Sequence, residues 1–140
     1  MIEAQLNGRI KNKKRITKFV DDVFYHYFKN RMKRTVLVDI QFLTELEEGK
    51  IAGYCMGDKH EIQIDIARTE NGVPYTTREI CLNLAHELVH AKQFIRGEIN
   101  PYNTEMRQQE FVFTCYMDKP YELEAYRMEE MLVEKYYDNC

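Results

Sequence analysis

The stretch "TTREICLNLAHELVHAKQFIRG", Thr76 to Gly97, decides how this chain is read. Thr76 and Glu79 form the T-x-x-E pattern in which each side chain serves the other's backbone N–H, so a helix is predicted to open there. Gly97 stands where the left-handed turn after a helix is usually placed, and it closes the segment. Ile80, Leu84, Leu88, Ala91 and Ile95 recur at threes and fours between those signals and mark the stripe that faces a core. "HELVH", His86 to His90, therefore falls well inside a capped helix. Histidines four residues apart on a helix project from one face, and their imidazole nitrogens can converge on one ion. Glu87 stands about a hundred degrees round from His86, where a carboxylate reaches a metal-activated water without ligating the metal. Asn83, one turn earlier, points the same way.

The segments upstream supply a framework for that helix. Ile16, Phe19, Val20, Val23, Phe24 and Tyr27 recur at helical spacing, which predicts an amphipathic helix from about Lys13 to Met32 laid on a sheet. "TVLVDIQF" and "IAGYCMG" read as strands. After a turn at Gly57 to Lys59 comes "HEIQIDIAR", in which Ile62, Ile64 and Ile66 alternate with Glu61, Gln63 and Asp65, so one face is buried and the other wet. "TENGVPY" reads as loop. A last helix is expected from Pro120, suited to a first helical position, to about Tyr137. The fold class expected is α+β, with a small antiparallel or mixed sheet in a single domain spanning residues 1–140.

Composition narrows the function classes. A net charge of −3 is no signature of a general polyanion binder, and the basic run "KNKKR", Lys11 to Arg15, reads as a solvated helix start. Nucleic-acid binding through "KNKKRITK" would have to be strongly salt-dependent, and it is not expected. Cys55, Cys81, Cys115 and Cys140 lie far apart with no C-x-x-C pair, which suggests neither a zinc ribbon nor a disulfide scaffold and fits reduced thiols in a cytoplasm. No apolar run has membrane-spanning length, so a soluble, unsecreted protein without a membrane partner is expected.

Two histidines make a weak zinc site, so a third ligand is required. His86 and His90 are the last histidines in the chain, which removes every site whose third ligand is a later histidine. The metzincin pattern needs a glycine and a histidine where Gln93 and Arg96 stand, and SprT-like proteases need a later histidine. A carboxylate remains, and the last helix carries candidates. Stepping a hundred degrees per residue puts Tyr121, Glu124, Ala125, Met128, Met131, Leu132 and Tyr136 on one side, with Glu124 inside the apolar stripe. Glu122 shares the other side with Glu129 and Val133. Glu124 is preferred as the third ligand, with Glu122 the alternative and Glu98 or Glu105 held in reserve.

"HELVHAKQFIRGE", followed some thirty residues later by "PYELEAYRMEE", resembles the small zinc-metallopeptidase domains of bacteria and their phages, a gluzincin-like group related in appearance to SprT-like and ImmA/IrrE-like proteins. The similarity covers about Ile51 to Glu130. It implies a zincin-like fold, Zn2+ held by His86, His90 and a glutamate matching Glu124, and catalysis by Glu87 on a polypeptide substrate. Two departures stand out: no later histidine follows, and Met128 occupies the place of an aspartate four residues after the ligand. Glu87 would act as general base, and Tyr102, Tyr121, Tyr126 or Arg127 would steady the developing negative charge. The strand "HEIQIDIAR" would form the cleft edge that pairs with substrate, while His26 and His60 are expected to lie outside the site. The rival expectation is a catalytically silent zinc-binding protein that captures a partner through its edge strand.

Overall fold

The computed structural model describes residues 1–99 and 119–139. In chain order the elements are β1 (Ile2–Asn7), α1 (Lys13–Phe28), β2 (Val36–Leu43), β3 (Gly53–Gly57), β4 (Glu61–Ala67), the short pair β5 (Thr69–Glu70) and β6 (Val73–Pro74), α2 (Thr77–Ile95) and α3 (Pro120–Val133). The chain is α+β. A π-helical turn, Glu134–Asp138, follows α3 directly.

Four strands form a mixed sheet in the order β1-β2-β4-β3. β1, β2 and β4 run parallel, and β3 is antiparallel to β4. Alternation dictates which face is covered: Val36, Val38, Ile40 and Phe42 of β2 are buried in register with Ile62, Ile64 and Ile66 of β4. Ile2, Ala4 and Leu6 of β1 pair with Val36, Val38 and Ile40, extending the same apolar face outward. α2 packs on β3 and β4, α1 packs on β1 and α2, and α3 packs on α2. Ile16, Phe19, Val20, Val23 and Phe24 are the buried face of α1, the positions that its helical periodicity marks. No helix among the described residues is long and apolar enough to cross a membrane.

Several boundaries depart from expectation. α1 stops at Phe28 because Lys29 and Asn30 both adopt left-handed backbone, so the helix is a turn shorter than its apolar pattern. "TENGVPY" is a small hairpin in which Thr69 pairs with Pro74 and Glu70 with Val73 around Asn71-Gly72. β4 is interior, between β2 and β3, so it is not the cleft edge; among the described residues that edge is β3. β4's three buried isoleucines need helix cover on one face and strand partners on both sides, which suits a central position.

α2 carries the full capping box: Thr76 Oγ1 accepts from the Glu79 backbone N–H at 3.1 Å, and Glu79 Oε1 accepts from the Thr76 backbone N–H at 2.9 Å. A cap of this kind contributes about 1 kcal/mol, and it fixes the phase in which the helix enters the core. Ile80, Leu84, Leu88, Ala91 and Ile95 are all buried, as is the polar run His86, Glu87, His90, Lys92 and Gln93. Burying so many polar groups on one helix requires partners for each. Those partners build the site.

Candidate metal centre

α2 is held between β3 and α3, and its polar residues face both. His86, His90 and Glu122 offer one ligand atom each, all within 4.8 Å of one another, and all three residues are buried. One carboxylate oxygen, Glu122 Oε1, lies 2.5 Å from His90 Nε2 and 3.3 Å from His86 Nε2. The opposite ring nitrogens are already engaged. His86 Nδ1 is 2.8 Å from Glu129 Oε2, and His90 Nδ1 is 2.8 Å from Gln93 Oε1. An acceptor on Nδ1 fixes the tautomer with its proton there and leaves the Nε2 lone pair for an ion. Two imidazoles and a carboxylate gathered at 1–8% exposure fit a divalent cation.

Glu124, the preferred third ligand, is elsewhere. Its Oε2 accepts from Lys92 Nζ at 2.6 Å and its Oε1 from Gln93 Nε2 at 2.8 Å, and about a third of its side chain is exposed. The structure brings Glu122 to the histidines in its place. The face of α3 turned to α2 is that of Glu122, Ala125, Leu132 and Val133, all buried, with Glu129 on the same side. Scoring the helix by apolar residues alone rotates it toward Tyr121, Met128 and Met131, because the true inner face is partly polar. Glu124 nonetheless touches the site at one remove: it holds Gln93, which holds His90. Lys92 also pairs with Glu98 at 2.9 Å, so Glu98 lies on that outer network and away from the histidines. Glu105 and Tyr102 lie outside the described residues, as do Cys115 and Cys140.

A cleft of about 270 Å³ opens onto this cluster. Ile51, Ala52 and Gly53 at the start of β3 make one wall, and Asn83, His86 and Glu87 of α2 make the other. Tyr126 and Glu129 of α3 close the third side, with the Tyr126 ring 4.7 Å from that of His86 in an edge-on contact. Of the three described residues among those expected to steady negative charge, Tyr126 is the one that lines the cleft. Tyr121 instead stands 6.0 Å, centroid to centroid, from the His90 ring, and Arg127 is exposed. Asn83 Nδ2 is a buried donor with no acceptor among the described residues. Gly53 allows β3 to approach: a Cβ there would sit 3.0 Å from Glu87 Oε2 and 3.1 Å from Glu87 Cγ.

The electrostatics follow from burial and neighbours. Burial pushes the Glu87 carboxyl above its ordinary range; His86 and His90 pull the other way, and Glu122 and Glu129 add to the rise. Burial alone would lower His86, but the Glu122 and Glu129 carboxylates outweigh it and, with Glu87, raise it to about 10. The carboxyl groups of Glu87, Glu122 and Glu129 gathered around one buried imidazole make a site that favours positive charge.

His26 is on α1, its Nδ1 2.6 Å from Tyr136 Oη, and His60 is exposed beside Asp58; neither joins the cluster. Cys55 and Cys81 are free and buried, and burial pushes Cys81 up to about 12. No family model matches the chain, and no curated protein matches it either.

Proposed function

We infer that the chain is a zinc-dependent peptidase of zincin-like fold in which His86, His90 and Glu122 hold the ion and Glu87 moves the proton. The observation that carries this is the buried His86–His90–Glu122 cluster with Glu87 beside it in one cleft wall. Two imidazoles and one carboxylate are a donor set used for catalytic zinc, with positions left open for water and substrate. Zinc held there supplies Lewis-acid activation of a water molecule and of the carbonyl under attack.

The chain's own groups do the rest. Glu87, held above the ordinary carboxylate range by burial, accepts the water's proton and delivers it to the leaving amine. Among the described residues β3 is one of the two outer strands of the sheet, and its start lines the cleft, so an extended peptide can add to it by backbone hydrogen bonds alongside Glu87. Asn83 and Tyr126 line the cleft, and their side-chain donors would meet negative charge growing on the carbonyl oxygen. Glu129 and Gln93 hold the imidazoles in register.

The test is hydrolysis of a mixed peptide library by the zinc-loaded protein and by Glu87→Gln. The parent should cleave peptides, and the variant should keep its zinc while losing on the order of a hundredfold or more in rate. A parent that binds zinc and cleaves nothing would support instead a silent zinc-binding protein that captures partners at β3. A Glu87→Gln variant that cleaves at the parental rate would remove Glu87 from the chemistry.

A further inference from the structure

A second cavity differs from the cleft in character. About 640 Å³ in volume, it lies where the three parallel strands end: Arg9 follows β1, Thr44 follows β2, and Arg68 and Thr69 follow β4. That volume is within the range of small-molecule sites, and the carboxyl ends of parallel strands are where open sheets leave a crevice. We propose that this cavity binds a small organic anion, an acidic group carried on an apolar body, at Arg9, Lys11 and Arg68.

Charge is the first support. The chain is net negative, yet the described residues lining this cavity include three cations and no carboxylate. Arg9 and Lys11 are exposed and make no ion pair among the described residues. Like charges gathered on a wall repel one another, and an anion relieves that repulsion.

Arg68 is the second support. Its backbone is fixed by Arg68 N–H to Leu43 O at 2.7 Å and by Tyr75 N–H to Arg68 O at 2.9 Å. Its Nη2 donates to Thr44 Oγ1 at 2.7 Å, which aims the guanidinium, while its Nε is buried with no hydrogen-bond partner among the described residues. A guanidinium N–H removed from water and given no acceptor is a donor set aside for a ligand.

Shape is the third. Ile10, Pro74, Tyr75 and Ile80 line the same cavity and give an apolar wall for the body of the ligand. Gly8, at φ +97°, lets the chain turn from β1 to place Arg9: a Cβ there would lie 2.5 Å from the Phe42 carbonyl oxygen, so only glycine fits. Lys11 belongs to the basic run that no part of the peptidase reading uses. Its place at this cavity is a use for it.

Titration of the 140-residue chain with phenyl phosphate, benzoate and uncharged benzyl alcohol, followed by amide NMR shifts, tests the proposal and separates a phosphate from a carboxylate preference. One of the two anions should bind saturably and shift the amides of Arg9, Lys11, Thr44, Arg68 and Thr69, with benzyl alcohol at least tenfold weaker. Arg68→Gln and the surface double variant Arg9→Gln/Lys11→Gln should each weaken that anion by on the order of tenfold. The double variant keeps the test decisive if Arg68→Gln does not fold. No saturable shift with either anion, equal binding of benzyl alcohol, or parental affinity in the double variant would overturn it.

Discussion

Glu129 Oε2 lies 2.8 Å from His86 Nδ1, so a carboxylate on α3 holds the imidazole on α2 whose other nitrogen faces Glu122. The pair ties the two helices together at the centre. Carboxylates behind ligand histidines set their orientation and basicity, and losing one costs roughly ten- to a hundredfold in metal affinity. Glu129→Ala is expected to weaken zinc by that amount, and Glu129→Gln, which keeps an acceptor, to weaken it less. Competition against a chelator of known affinity measures both.

The two glutamates at the start of α3 should separate cleanly. Glu122 is 1% exposed beside both histidines, whereas Glu124 is bound to Lys92 and Gln93. Glu122→Ala is expected to lose tight zinc and the rise in melting temperature that zinc confers, since metal binding and folding are coupled. Glu124→Ala should retain zinc with a smaller loss, because it acts on His90 only through Gln93. Zinc content after dialysis and melting curves with and without zinc give the comparison.

Gly53 offers a test of Glu87 that leaves the metal ligands alone. A Cβ at residue 53 would stand 3.0 Å from Glu87 Oε2 and 3.2 Å from Ile66 Cδ1, closer than side chains pack comfortably. Gly53→Ala should push the carboxylate aside and lower peptide hydrolysis by roughly tenfold, since small displacements of a catalytic group are costly. Its zinc content should equal the parent's.

The metal-free protein should show a pH dependence of definite sign. His86 is raised from 6.5 to about 10 because its carboxylate neighbours outweigh the effect of burial. A folded-state pKa above the unfolded one gives stability that is complete below about 6.5 and is lost as pH rises through about 10. With chelator present, the melting temperature should therefore fall between pH 7 and pH 9, and His86→Gln should flatten the fall. Zinc needs the neutral imidazole, so its affinity should rise with pH over the same interval as a proton is expelled. Calorimetry in buffers of different ionisation enthalpy counts that proton.

How far these features could be read in advance depends on whether local signals determine them. The cap of Thr76 with Glu79, the phase of Ile80, Leu84 and Leu88, and the proximity of His86 to His90 are properties of one helix, and all were legible. β1 carries an alternation of Ile2, Ala4 and Leu6 that is weak by itself; what makes it a strand is pairing with β2, a contact between distant residues. Strand order is tertiary in the same way, so β4 passed for an edge although β3 covers it. The third ligand was misplaced for a more specific reason. A helix that faces a charged centre buries polar residues, and hydrophobic periodicity turns such a helix away from its true inner face. Glu122 and Glu129, on the side of the helix away from its apolar stripe, are the residues that meet the histidines. A glutamate that recurs at the spacing of Ala125, Leu132 and Val133 was the available signal.

The central claim is that one divalent ion sits between α2 and α3 on His86, His90 and Glu122. Its most direct test is an anomalous-difference map at the zinc edge from crystals of the zinc-loaded protein. The account predicts a single strong peak within bonding distance, roughly 2.0–2.2 Å, of His86 Nε2, His90 Nε2 and a Glu122 carboxylate oxygen, with Glu87 outside that distance. A peak coordinated by Glu124 in place of Glu122, or no peak at the two histidines, would contradict it.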